Sequence, residues 1–489
     1  MSDFSTAQIM LTLSLLATRG FWNSKKKNHN HLAQAVSAGL DQLEPLKGDW
    51  QLVWGPGTYR YLGSAFDSSM MFVVQHKRQP SRFAIVVRGT NPIDVYDWLL
   101  GDFLPHRQVP WHTSDKDIAP GAELSMSTAL GLKILLNISA ESDPGQITEE
   151  GEFDYLLERG ATAAVTVAQA GGASLAKTDD LLTSSPAAAS YDKVRKLVKK
   201  LLKYQKLWSL IELAAGTMAS KVGDVLKMED VVKILKLRKR LIKMLDKTME
   251  PFAEAPVAML MPSLEELRKN QDSGIRLLEF LANVAQTHGD NLELLVTGHS
   301  KGSALATALA LFLSDTQRND EIPVRRRYQW NPAHRSKIQC YAFAGPTPGN
   351  TAFANYFNRQ LGRNYFRYSN KLDIVTLVWQ AEKLRSISSV YGESVNSLPG
   401  LDLLFAEMAE EVETLDYCHP GENYPATDTP DGRAEQHVFE FSGPLEEGNS
   451  SYILQELHQH IQAYINFMGL DKVLELKDLV GLKSTSRSV

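Results

Sequence analysis

Three runs near the start of the chain are rich in β-branched and aromatic residues: Thr58 to Ser64, Met70 to Gln75 and Phe83 to Val87. Polar or Gly/Pro-containing turns separate them, and strands so closely spaced predict antiparallel hairpins. From about residue 262 the pattern changes to strand followed by helix. Leu292 to Thr297 precedes a helical pattern from 303, Cys340 to Ala344 precedes a helix near 351, Tyr365 to Tyr368 follows, and Val438 to Phe441 is the last strand. Such alternation predicts a mostly parallel sheet with helices on its faces, an α/β architecture. At the other end, the apolar run Ile9 to Ala17 predicts an amphipathic first helix capped near Ser5 or Thr6.

Between these parts, helix formers dominate from 121 to 261 and strand signals fade, which predicts a helical insertion or cap. The chain then divides into an N-terminal part of one core, 1–120, the insertion, 121–261, and the C-terminal part of the core, 262–489. Residues 163–188 are rich in Ala, Gly and Ser and read equally as a connector or as closely packed helices. In the next stretch Val194, Leu197, Val198, Leu201, Leu202 and Trp208 recur at helical spacing, with lysines such as Lys196, Lys199, Lys200 and Lys203 on the other face. A similar pattern runs from Val231 to Leu245. Residues 193–247 hold 16 Lys and Arg against 5 Asp and Glu, a net of +11. The total is −5, so the remainder carries −16 and the charge is strongly segregated.

That balance excludes a dedicated nucleic-acid binder, which needs an overall basic excess. With 489 residues, 43% of them hydrophobic, a large core is assured. Two cysteines, Cys340 and Cys418, are too few for a disulfide framework or a Cys-based zinc site. Asp3 stands where a secretory leader would be basic, and no segment offers the roughly 18 uninterrupted apolar residues of a membrane span. The expected location is cytoplasmic, or outside by a route without a cleaved signal, with any membrane met from its surface.

The sharpest chemical signal is Gly298-His299-Ser300-Lys301-Gly302, set between an apolar strand and a small-residue helix. A nucleophile carried on a tight strand-to-helix turn requires little bulk two residues before and after it, and both positions are glycine. The helix N-terminus also lowers the cost of negative charge beside Ser300. A hydroxyl is a poor nucleophile at neutral pH and needs a histidine base oriented by a carboxylate; in this arrangement the chain order is Ser, acid, His.

Three further segments share one resemblance. They are Phe83-Ala-Ile-Val-Val-Arg88-Gly89-Thr90 with the later Asp97-Trp98, Phe343-Ala-Gly345-Pro346-Thr-Pro-Gly349-Asn350, and Arg367-Tyr368-Ser369-Asn370-Lys-Leu-Asp373-Ile374-Val375. Together with the Ser300 block, and in this order, they resemble the class 3 (fungal-type) lipases over roughly 58–102 and 290–470. The resemblance implies an α/β-hydrolase fold with the helical insertion between the oxyanion strand and the nucleophile strand. It also implies Ser300 as nucleophile, Asp373 as the acid and Thr90 as an oxyanion-hole residue; the backbone N–H of Lys301, directly after the nucleophile, would be the second donor.

Four histidines follow Asp373. His437 leads into the last strand, on the wrong side for a base, and His419 sits in a Pro/Gly-rich stretch that reads as an exposed loop. Relatives place the base shortly before a tyrosine in the closing helix, which favours His460, four residues ahead of Tyr464, over His458; sequence order leaves both open. Lys301 stands where relatives are often apolar, Ser303 replaces a frequent glycine, and the disulfides of secreted members are absent. No metal-spaced His/Glu pair or phosphate-cradling loop occurs, so no cofactor is expected.

Two functions remain in view. One is a serine carboxylic-ester hydrolase acting on lipid esters, triacylglycerol lipase or phospholipase A1-like. The other is a peripheral membrane or partner-binding protein that uses the basic helices on an inactive hydrolase scaffold, with Lys196, Lys199, Lys200 and Lys203 as candidate contacts to anionic lipid.

Overall fold

A computed structural model describes residues 4–17, 29–59, 69–89, 105–111, 119–140, 236, 239, 274–317, 329–333, 335–397, 400–422 and 438–474. Its strands are β1 (Trp50–Tyr59), β2 (Ser69–His76), β3 (Gln79–Val87), β4 (Gln108–Pro110), β5 (Glu123–Ser125), β6 (Glu293–His299), β7 (Lys337–Phe343), β8 (Gly349–Asn350), β9 (Tyr365–Asn370), β10 (Tyr417–Cys418) and β11 (Val438–Phe441). The helices are α1 (Thr6–Leu16), α2 (His29–Gln42), α3 (Met126–Asn137), α4 (Leu277–His288), α5 (Lys301–Gln317), α6 (Thr351–Leu361), α7 (Ala381–Ser386), α8 (Leu401–Val412), α9 (Tyr452–Leu457) and α10 (Ala463–Phe467).

Seven strands form the central sheet in the order β1-β2-β3-β6-β7-β9-β11. The first two pairings are antiparallel hairpins and all from β3 onward are parallel. Central strands such as β6 are buried almost throughout because both of their faces are covered. One face packs under α1, α2 and the closing helix, with Met10, Leu13, Val86, Leu295, Phe343 and Tyr464 in its core. The other face packs against α3, α4, α5 and α6. A third apolar cluster, including Trp379, Phe405, Met408 and Tyr452, lies beyond the end of β9. A small antiparallel sheet, β10-β8-β5-β4, adjoins this framework.

Helix α1 is capped as its sequence predicts: Gln8 N–H donates to Ser5 Oγ at 3.3 Å and Ser5 N–H returns a bond to Gln8 Oε1 at 2.8 Å. Its amphipathic reading is corrected. Met10 through Leu16 are all buried, and the supposed polar stripe is buried with them. Thr12 and Ser14 satisfy their hydroxyls within the helix, on the carbonyls of Gln8 and Leu11. Strand β1 starts at Trp50, well ahead of the predicted Thr58, and takes in Gly55, Pro56 and Gly57 through irregularities in its register with β2.

Strands β3 and β6 are parallel neighbours, Val87 standing opposite Gly298, so everything between them is one long crossover. Residues 121–140, counted with the insertion in the sequence reading, supply β5 and α3 to the small sheet and the main core. The remainder of 141–261, including 163–188 and the four lysines, lies outside the described residues apart from Lys236 and Lys239. Among the described residues no helix is long and apolar enough to cross a membrane.

Candidate active site

Ser300 is the single residue between the end of β6 and the start of α5, and its φ of 61° places it in the left-handed region. A non-glycine residue there costs on the order of 1–2 kcal/mol and persists only where the surroundings fix it. Its N–H donates to Phe343 O at 3.0 Å, its carbonyl accepts from Ser303 N–H at 2.8 Å, and the side chain is buried. The flanking glycines serve close packing. A Cβ on Gly298 would lie 2.1 Å from Gly302 O, and one on Gly302 would lie 2.5 Å from Val87 O and 2.6 Å from Gly89 N. A Cβ on Gly89 would meet His299 O at 2.3 Å. The turn is therefore pressed against the end of β3.

Asp373 follows β9 and is fully buried. His460 Nδ1 lies 3.0 Å from both of its carboxylate oxygens. Val375 N–H donates to Oδ1 at 3.0 Å and the Tyr464 hydroxyl to Oδ2 at 2.9 Å. The Tyr464 oxygen itself accepts from Asn370 N–H at 2.9 Å, while the Asn370 amide donates to the Gln459 carbonyl at 2.9 Å and to its Oε1 at 2.7 Å. Strand β9 and the closing helix are thus tied on both sides of the Asp373–His460 pair. Between α9 and α10 the helix widens into a π turn, His458–Gln462, which carries His460.

The Ser300 turn meets this pair through its neighbour. His299 Nε2 is 2.8 Å from the His460 carbonyl, and since a carbonyl only accepts, Nε2 carries the proton. The two imidazole rings sit 4.6 Å apart. Burial, with His460 adding, holds His299 neutral, well below the usual imidazole range. Burial also opposes charge on His460, but the charge and hydrogen bond of Asp373, and the charge of Glu456, outweigh it and raise its pKa.

Glu456 is a further buried acid: its carboxyl and the donor atoms of Asp373 and His460 all lie within 4.8 Å of one another. These three side chains have the types and spacing to hold a metal ion, but two of them are already committed to each other and to Tyr464 and Val375 by hydrogen bonds.

Residues 265–382, which include Ser300 and Asp373, match the family model Lipase (class 3). That stretch, about a quarter of the chain, is similar to the class 3 lipases. The crystal structure of M37 lipase aligns over 97% of this chain and 97% of its own, with 21% identity and a TM-score of 0.59, a likeness of fold. A propeptide complex of Rhizomucor miehei lipase aligns over 77% of this chain and 62% of its own at 14% identity and a TM-score of 0.30. No curated protein matches the chain. The family supports a carboxylic ester hydrolase whose substrates are lipid esters.

The structure brings Asp373, His460 and the Ser300 turn together. Lys301 opens α5, half-buried, with its N–H in the first turn. Thr90, Asp97 and Trp98 lie outside the described residues, as does His437. His458 is half-buried, and its buried Nε2 has no hydrogen-bond partner among the described residues. The reading of His419 as an exposed loop residue is corrected. It is buried, with Nε2 3.0 Å from Thr376 O, and burial and the nearby Arg367 charge hold it neutral. The Pro/Gly content that suggested a loop instead lets the backbone turn around Glu422, which accepts from His419 N–H and from Lys383.

Sequence reasoning passed over His299 and Glu456. His299 was visible as the variable position of the Ser300 motif, and Glu456 as the residue one helical turn before His460, but neither type marks a role until its neighbours are known.

Proposed function

We propose that this protein hydrolyses lipid esters through a Ser300–His460–Asp373 triad and a covalent acyl-enzyme. The observation that carries this reading is the Asp373–His460 pair, 3.0 Å apart, held by hydrogen bond against the strained turn that bears Ser300. His460 accepts the Ser300 proton as the hydroxyl oxygen attacks the ester carbonyl. Asp373 keeps Nδ1 protonated, leaving Nε2 as the base, and stabilises the imidazolium. The tetrahedral oxyanion is met by the Lys301 N–H and by Thr90. His460 then returns its proton to the departing alcohol, and water, activated by the same imidazole, releases the fatty acid. Acylglycerols and phospholipids both present this bond, so triacylglycerol lipase and phospholipase A1-like activity share the mechanism.

A fluorophosphonate probe tests it. The wild-type protein should be labelled at Ser300 and should hydrolyse a short-chain ester. Ser300→Ala should lose the label and at least ~10³-fold of the activity while melting at the wild-type temperature. An unlabelled, inactive wild-type protein would leave the inactive-scaffold function in its place.

A further inference from the structure

Glu456 has a peculiar setting. It is 2% exposed, its Oε1 receives no hydrogen bond among the described residues, and its carboxyl lies within 4.8 Å of donor atoms on both Asp373 and His460. Buried carboxylates normally collect donors, as Asp373 does from His460, Val375 and Tyr464. The groups facing Glu456 are Asp373 from the segment after β9, His460 one turn along its own helix, and Tyr391, whose buried hydroxyl is also unpartnered. None is a fixed cation. Of these groups, the one that can become positive is His460, the proposed base.

Resting on the triad reading, we propose that Glu456 is a second carboxyl of the catalytic centre, a positioning residue that acts by sharing one proton with His460. The shared proton sits either on Glu456, leaving His460 neutral and able to accept from Ser300, or on His460, leaving Glu456 ionised and the base blocked. Only an O–H and an N–H bond exchange, so the balance closes within the site. Burial keeps the proton on Glu456, pushing its carboxyl up to about 8, opposed by His460 and reinforced by Asp373. The imidazolium form is never far away, because Glu456 and Asp373 together favour it.

The sign follows. Removing the Glu456 charge removes the blocked form, so His460 becomes a free base at lower pH and in a single step. Three measurements test this on the full-length protein. The pH profile of kcat/KM for a soluble short-chain ester should rise in two shallow steps in the wild type. In Glu456→Gln it should rise in one steep step, with its midpoint lower by about half a pH unit or more. Glu456→Leu, which fills the site with an apolar side chain, should shift the midpoint in the same direction. In Ser300→Ala with Glu456 intact, the ¹⁵N signals of the His460 ring should titrate in two steps.

An unmoved midpoint in the folded variants overturns the proposal, since a packing role would scale the rate at every pH alike. A single-step titration of His460 beside intact Glu456 overturns it too, even if neither variant folds. Loss of the triad reading would look different: His460→Ala would then retain labelling by the fluorophosphonate.

Discussion

At Asp373 a single carboxylate receives a backbone N–H from its own loop and, from the closing helix, a tyrosine hydroxyl and an imidazole N–H. Such a carboxylate has no freedom to turn, so the ring it holds is fixed as well. His460→Ala should therefore reduce ester hydrolysis by at least ~10³-fold, comparably to loss of Ser300, whereas His458→Ala should change kcat by only a few-fold, about 3 or less. The reverse ranking, measured on proteins of matched stability, would move the base to His458. Ser300 and Asp373 were legible from motifs because their local sequence carries their local geometry. His460 was favoured over His458, yet sequence order left both open, for a physical reason. The two lie in a π turn, where the usual 3.6-residue phase no longer tells which side chain faces the sheet.

Among the elements, the turn from β6 to α5 places the tightest demand on sequence. Gly302 faces backbone atoms of Val87 and Gly89 that cannot give way, so Gly302→Ala should cost on the order of 3 kcal/mol by denaturant unfolding and abolish labelling. Gly48 is a control: its φ is +81°, but nothing lies within 4 Å of an added Cβ, so Gly48→Ala should cost about 1 kcal/mol and leave labelling intact. Equal effects at the two glycines would remove close packing as the reason for the motif. The Gly349-Asn350 segment has a similar logic. A Cβ on Gly349 would meet Glu123 O at 2.3 Å, and the Asn350 side chain caps α6 while accepting from Glu123 N–H. The sequence showed the parallel strands well because their apolar runs are continuous. It misplaced β1 and misjudged α1, where a bulge and two self-satisfied hydroxyls mimic turn and surface signals.

On the scale of the whole molecule, charge is divided: the segment 193–247 carries +11 and the rest −16. Among the described residues, Lys239 of that segment pairs with Glu407 of the acidic helix α8 at 2.8 Å, an exposed pair of the kind that contributes under about 1 kcal/mol. The segregated charge supports a docking of this segment on anionic lipid, where each Lys contributes ~1 kcal/mol and salt screens the attraction. Replacing Lys196, Lys199, Lys200 and Lys203 with Gln should then weaken binding to phosphatidylserine vesicles at least ~10-fold and slow turnover of vesicle lipid, with a soluble ester hydrolysed as before. Equal binding to neutral and anionic vesicles would assign the lysines to a solvated cap face.

The three proposed catalytic residues stand after β6, β9 and β11, and the elbow itself is braced by β3, more than two hundred residues earlier in the chain. Contacts of such long range close late in folding. A ribosome-bound chain that has not yet released β11 and the helix behind it holds a serine with no base, so the nascent protein is inert toward the lipids around it. In refolding, fluorophosphonate reactivity should appear after secondary structure and core fluorescence have recovered, as the last signal to return.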